Sequence, residues 1–184
     1  MKIVLLDAIE NESGVSQVVR ITLKQNGHDI AWFKLNEKNI RPCVSCGACG
    51  HKSPGKCVIN DDMQSILHAI APCDALVMLT PIRFGGYSST LKKAVDRFMP
   101  LGLPLYMVKK GHLLHPMRYQ KKFLLGIGIL EDKLLDQEEN FKKLVANNAL
   151  NLQYQHKTLV INELDAGEIL VQDIENAFKE VNHR

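Results

Sequence analysis

The sequence predicts an α/β domain in three layers, α/β/α, around a five-stranded parallel sheet. Two observations carry that reading. Short, continuous apolar runs recur five times along the chain, and each is followed by apolar residues at helical spacing. Strands that are apolar throughout are those buried on both faces, which is what helices covering a parallel sheet produce. No internal repeat, low-complexity tract or linker interrupts the alternation, so residues 1–184 read as one domain, with 46% hydrophobic residues for its core.

Taken in order, KIVLLD (Lys2–Asp7) is the first strand, and Val15, Val18, Val19 and Leu23 mark the first helix. HDIAWFKL (His28–Leu35) is the second strand. After a cysteine-rich loop at 41–60, Asp61 and Asp62 suit a helix start, and Met63, Ile66, Leu67 and Ile70 form an i, i+3, i+4, i+7 stripe. CDALVMLTP (Cys73–Pro81) is the third strand, followed by a helix carrying Leu91, Ala94, Val95 and Phe98. Residues 99–120, with three prolines and two glycines, read as a long connection. KKFLLGIGIL (Lys121–Leu130) and KTLVIN (Lys157–Asn162) are the last two strands. Their helices hold Phe141, Leu144, Val145 and Ala149, then Leu170, Ile174, Ala177, Phe178 and Val181.

Five such units joined by right-handed crossovers favour the flavodoxin-like strand order 2-1-3-4-5. Ligands of such sheets bind beyond the carboxyl ends of the strands, at the switch point between strands 1 and 3. Here that rim is built from residues 8–14, 80–88 and the segment after Gly128. The cysteine loop follows strand 2 and is expected on the same rim.

The formal charge of +3 is mild and the lysines are scattered, with no aromatic interleaving, so no nucleic-acid partner is expected. No stretch approaches the ~18 consecutive apolar residues of a membrane span, and the start lacks a signal-peptide pattern. A cytoplasmic protein is the expectation. Cytosolic thiols are kept reduced, which argues against a disulfide framework for the five cysteines.

Four of those cysteines fall within fifteen positions, as Cys43-x2-Cys46-x2-Cys49 and then Cys57. A [4Fe-4S] cluster needs four thiolates converging on one cube, and the x2 ladder places three around a tight turn. Gly47, Gly50 and Gly55 permit the backbone angles of such a wrap. Zinc prefers two separated C-x2-C knuckles, so a third thiol at this spacing suits it less well. The remaining alternative is a set of unmetallated thiols. Cys73, at the head of a strand, reads as a small core residue. His28, His51, His68, His156 and His183 form no i, i+4 pair and suggest no metal site. His112, His115, Arg118 and Tyr119 lie in the 99–120 connection, where solvated loop positions compete with a pocket or subunit contact.

TPIRFGGYSSTLKKAVDRFMP (Thr80–Pro100) resembles the isoalloxazine-binding segment of flavodoxin-fold NAD(P)H-dependent FMN reductases: a strand ending in Thr-Pro, an aromatic-and-glycine loop, then a helix with a Ser-x-x-x-Lys…Asp-Arg pattern, here Ser88, Lys92, Asp96 and Arg97. With the compact cysteine spacing and PGKCVINDDM after it, the chain is similar to the iron–sulfur flavoprotein subset, which carries FMN and a [4Fe-4S] cluster. The resemblance covers roughly residues 1–130. It implies a flavin ring against Thr80, Pro81, Ile82, Arg83, Phe84, Gly85 and Gly86, with Gly126 and Gly128 nearby and the phosphate at Ser13, Gly14 and Ser16. It implies a cluster on Cys43, Cys46, Cys49 and Cys57. Arg83 lies where relatives often carry an aromatic; it is either a solvated loop charge or, near the ring edge, a charge that would stabilise an anionic reduced flavin. With no separate dinucleotide fingerprint, NAD(P)H would stack transiently on the flavin.

The resemblance further implies a homodimer or homotetramer, with 99–120 as an interface element, and a small-molecule or protein electron donor and acceptor. A cluster-free FMN or quinone reductase and a non-enzymatic electron carrier or binding module that has lost its flavin remain as alternatives. One departure stands out. Relatives hold the phosphate in a hydroxyl-rich, often basic loop, whereas this chain has DAIENESGVSQ, and Glu10 and Glu12 bring like charge to the phosphate.

Overall fold

The computed structural model describes residues 1–10, 14–109, 111–119, 122–130, 135–162 and 167–182. Strand β1 (Lys2–Asp7) leads to helix α1 (Gly14–Gln25), and β2 (Asp29–Lys34) leads through the cysteine segment to α2 (Met63–Ile70). Strand β3 (Ala75–Arg83) turns back in a two-residue strand β4 (Gly86–Tyr87) before α3 (Ser89–Val95). The 99–120 connection holds a 3-10 turn, Met99–Leu101, and a small hairpin of β5 (Met107–Lys109) and β6 (His112–Leu114). Strand β7 (Phe123–Leu130), α4 (Leu135–Leu152), β8 (Gln155–Asn162) and α5 (Glu168–Asn182) complete the chain.

The five long strands are all parallel and ordered β2-β1-β3-β7-β8, which is the expected 2-1-3-4-5 arrangement. Alternate residues of each strand feed opposite cores. Val4 and Leu6 of β1 and Leu76 and Met78 of β3 pack with α2, α3 and α4 through Ile66, Leu91 and Phe141. Ile3, Leu5, Val77 and Leu79 pack on the other face with α1 and α5 through Val19, Leu23, Ile174 and Phe178. β7 is buried along its whole length, as a central parallel strand must be. Among the described residues, no helix is long and apolar enough to cross a membrane.

The 99–120 segment is more ordered than its composition predicts. Its two strands are three residues each, too short for a periodic signal. On this hairpin Val108 pairs with Leu113, and both side chains are exposed.

Candidate functional site

The carboxyl ends of β1, β3 and β7 stand side by side, with Asp7 opposite Leu79 and Thr80 opposite Gly128. β3 runs on past this edge and folds back, pairing Ile82 with Tyr87 and Arg83 with Gly86. Phe84 (φ +51°) and Gly85 (φ +74°) form the tip. Positive φ at both central residues is the signature of a type I′ turn, whose twist matches that of the flanking strands. Glycine takes that angle freely, whereas a bulky phenylalanine does so at a cost of roughly 1 kcal/mol or more. The Phe84 ring is nonetheless 99% exposed, so no packing contact among the described residues repays the strain.

The hairpin is anchored from beneath. Thr80 is fully buried, and its hydroxyl accepts the Ser88 N–H (3.1 Å) and donates toward Ser88 Oγ (3.1 Å). Ser88 in turn caps α3 by accepting the Leu91 N–H. On the other side Gly85 lies so close to α4 that a Cβ there would stand 2.9 Å from Asn140 Cβ. Pro81 is half-buried, Ile82 buried and Arg83 exposed. Gly126 and Gly128 lie within β7 beneath α4, where a Cβ would meet Val145 at 2.8 Å and Phe141 at 2.6 Å. Close helix–strand packing therefore accounts for both glycines.

At the start of α1, Gly14 is exposed and Ser16 half-buried in the first helical turn, where backbone N–H groups attract an anion. Ser13 and Glu12 lie outside the described residues, and Glu10 is exposed. Asp7 is buried at the end of β1, where its carboxylate accepts the Ile9 N–H and the Trp32 indole N–H, both at 3.1 Å.

The cysteine segment leaves the same rim after β2 and has no regular structure from Lys38 to Asn60. Its neck is closed by two carboxylates. Asp62 accepts the Asn39 N–H (2.7 Å), while Asp61 accepts the Arg41 N–H (2.9 Å) and the Met63 N–H (3.1 Å). Inside the loop Gly47 (φ +68°) starts a turn, and Gly55 N–H reaches Cys49 O at 3.0 Å.

Two arginines from outside support this loop. Arg97, just past α3, is only 2% exposed and ion-pairs with Asp61 at 2.5 Å. It also donates to the carbonyls of Arg41 (3.1 Å) and Ile59 (3.3 Å) and to Cys57 Sγ (3.4 Å). Arg118 reaches in from the 99–120 segment, donating Nε–H to the Pro100 and Gly102 carbonyls and lying against Gly55, where a Cβ would stand 3.0 Å from it. Burial alone would raise the Asp61 pKa. The Arg97 hydrogen bond and the Arg41 and Met63 N–H groups outweigh it and hold the carboxyl below its usual range.

All five cysteines are free thiols. Cys43, Cys46, Cys49 and Cys57 line one pocket of about 730 Å³, together with apolar Val44, Val58, Met99, Leu103 and Tyr106 and with His115. His115 is oriented by Nδ1–H donation to the Leu103 and Leu105 carbonyls and lies against the Tyr106 ring at 4.5 Å. Burial, then Cys57 and more weakly Cys43 and Cys46, raise the Cys49 thiol above its ordinary value. The thiols thus share one space, yet among the described residues no three Cys, His, Asp or Glu side chains stand as a ready metal site. Cys73 is buried in the core, which pushes its thiol up to about 11.

The donor chemistry of the pocket suits an iron–sulfur cluster: four thiols face one cavity, and the buried Arg97 Nε–H has no acceptor among the described residues. On the rim, the preformed hairpin could carry a flat ring and the first turn of α1 could receive an anion. Sequence reasoning placed the four cysteines but not Asp61, Arg97 and Arg118 around them. Asp61 was legible only as a helix start, and the two arginines carry no local pattern that points to the cysteines.

A family model described as NADPH-dependent FMN reductase matches residues 1–122. An iron–sulfur flavoprotein of Archaeoglobus fulgidus is 34% identical over 130 residues, covering 70% of this chain and 60% of that protein. One from Methanocaldococcus jannaschii is 32% identical over 102 residues, covering 54% of this chain and 52% of that protein. The matches thus span 36% to 60% of the length of the curated relatives. Among solved structures, an azoreductase from Bacillus anthracis superimposes with a TM-score of 0.66 at 14% identity, covering 100% of both chains. The NAD(P)H:quinone oxidoreductase from Methanothermobacter marburgensis does so with a TM-score of 0.62 at 14% identity, covering 97% of this chain and 94% of that one. At such identities the superpositions establish the fold.

Proposed function

The chain belongs to the NADPH-dependent FMN reductase family, and from that premise we propose that it is an FMN-dependent oxidoreductase whose cysteine loop holds a [4Fe-4S] cluster. Electrons would enter from NAD(P)H and leave to a small-molecule or protein acceptor. The observation that carries the reading is the convergence of Cys43, Cys46, Cys49 and Cys57 on one pocket. Bound, the flavin supplies two-electron exchange with a nicotinamide and the cluster supplies one-electron steps.

The chain's own contribution is placement. The Thr80–Ser88 network and the packing of Gly85 on α4 hold the hairpin as a ready platform, so little ordering cost is incurred when a flat ring binds. Phe84, exposed and strained, is the residue whose exposure binding would relieve. Gly14 and Ser16, and Ser13 beside them, would receive the phosphate at the helix N-terminus. Arg83, exposed at the end of β3, would place a positive charge at the ring edge. The exposed apolar side chains of 99–120, among them Tyr106, Val108 and Leu113, would be covered in a homodimer or homotetramer. Five free thiols suit a reducing, cytoplasmic setting.

A cluster-free FMN or quinone reductase is the second reading, favoured by the exposure of Cys43 and Cys46, which leaves two of the four thiols at the surface. Purification and reconstitution without oxygen separate the two. The expected result is stoichiometric FMN, about four irons per chain and a broad absorbance that bleaches on reduction. Serine at any of the four loop cysteines should weaken or abolish iron uptake, while Cys73→Ser should leave it intact. FMN without iron selects the second reading, as does stoichiometric zinc in place of iron. No FMN at micromolar concentrations, even with Glu10 or Glu12 neutralised, overturns both.

A further inference from the structure

We propose that Arg97 is the positioning residue of the cysteine site: it draws the two ends of the cysteine segment together at the end of α3, and its N–H on Cys57 Sγ sets the reduction potential of the cluster. The second half rests on the cluster reading above; the first does not.

A buried guanidinium is expensive unless its donors are used, and a leucine would fill the same volume at less cost. The distribution of the Arg97 donors shows where they are spent. Nη1 spans the two ends of the cysteine segment, serving the Arg41 carbonyl at its start and Asp61 Oδ2 just past its end. Nη2 serves the Ile59 carbonyl at that C-terminal end and the Cys57 sulfur just before it. A plain core ion pair would need only Asp61. Arg41 is no substitute: its guanidinium is exposed and lies 4.0 Å from the same carboxylate.

The planar fork matters as well as the charge. One ammonium group has no rigid geometry with which to satisfy a carboxylate, two carbonyls and a sulfur at once. A hydrogen bond to a ligating sulfur stabilises the more negative, reduced form of a cluster and so raises its potential. Placement adds a coupling. Arg97 follows the C-terminal end of α3, whose N-terminal cap Ser88 is bonded to Thr80 in the hairpin. A single helix of seven residues therefore sets the hairpin and Cys57 relative to one another.

The test uses the full chain with Arg97→Lys and Arg97→Met, each as apoprotein and after reconstitution. In the apoprotein, tryptic cleavage after Lys52 and Lys56 should quicken by about tenfold or more in Arg97→Met and by less in Arg97→Lys, in line with loss of charge-assisted hydrogen bonds. In the reconstituted protein, the cluster potential should fall in both variants, further in Arg97→Met. Where Arg97→Met fails to fold, Arg97→Lys, which keeps the charge beside Asp61, decides both measurements. Unchanged cleavage overturns the positioning role. A wild-type potential in the retained cluster overturns the electronic role and leaves Arg97 a structural residue. Wild-type protein that takes up no iron defeats the cluster reading and with it the electronic role, while the cleavage rates still decide the positioning role.

Discussion

The hairpin at 80–88 and the cysteine segment at 41–60 leave the same edge of one sheet and are held in different ways. The hairpin continues a central strand, closes through backbone pairing and rests on a buried Thr80–Ser88 network and on α4. Its shape exists before any ligand arrives. The cysteine segment follows an edge strand, has only local turns inside, and is held at its ends by side chains, chiefly Asp61 and Arg97. Cys43 and Cys46 are exposed, and Cys49 and Cys57 are half-buried. A flat ring needs a rigid platform. A cluster is itself a cross-link among four ligands and can impose the final shape of its loop, as metals do in small domains that fold around them.

Removing the clasp of the cysteine segment should have the largest effect. Asp61→Asn leaves the buried Arg97 charge uncompensated, which costs about 3–5 kcal/mol, and denaturant titration should show that loss at neutral pH. The wild-type contribution should also depend on acidity. The folded Asp61 pKa is depressed, so its stabilisation is full above the ordinary carboxylate value of about 3.9 and drains away as pH falls through the lower folded value. Asp61→Asn should lack that acid-side decline, and a parallel pH dependence in the two proteins would show that the clasp does not rest on this carboxylate.

A smaller effect is expected where the hairpin meets α4. Gly85→Ala forces a side chain into a left-handed position 2.9 Å from Asn140 Cβ. Strain and overpacking together should cost about 2–3 kcal/mol. Thermal unfolding should register the loss, and FMN affinity should fall with it because the platform tilts. Iron uptake should be unaffected. If iron uptake falls in step with FMN, the two loops are not separately built.

The smallest change should run the other way. Phe84→Gly removes a bulky residue from φ +51°, where its ring is 99% exposed. Stability should rise by up to about 1 kcal/mol while FMN binding weakens. Stability and binding that fall together would mean that Phe84 serves the fold instead of the ligand.

Much of this architecture was legible in one dimension because its causes are local. Val15, Val19 and Leu23 fall at helical spacing, and the runs at Lys2–Asp7 and Phe123–Leu130 are apolar enough for strands buried on both faces. Five such units allow few topologies, and the cysteine ladder brings four thiols into one loop by spacing alone, which leaves cluster, zinc and unmetallated thiols as readings. Gly126 and Gly128 entered the sequence reading only as positions that the resemblance puts near a flavin; their neighbours on α4 could not be read, so their packing role emerged only with the helix in place. The order within 99–120 was hidden because three-residue strands leave no period to read.

What the sequence determined by itself, then, is the layered sheet, the rim beyond the carboxyl ends of its strands and the thiols available there, since periodicity and spacing act between neighbours in the chain. The tertiary structure decided which groups surround those thiols. Arg97 meets Asp61, Ile59, Cys57 and Arg41 across 36 to 56 positions of sequence. No local pattern encodes such a contact. A buried guanidinium must find its acceptors wherever the tertiary fold brings them to the end of α3, because a buried donor left without one costs more than a surface donor ever would.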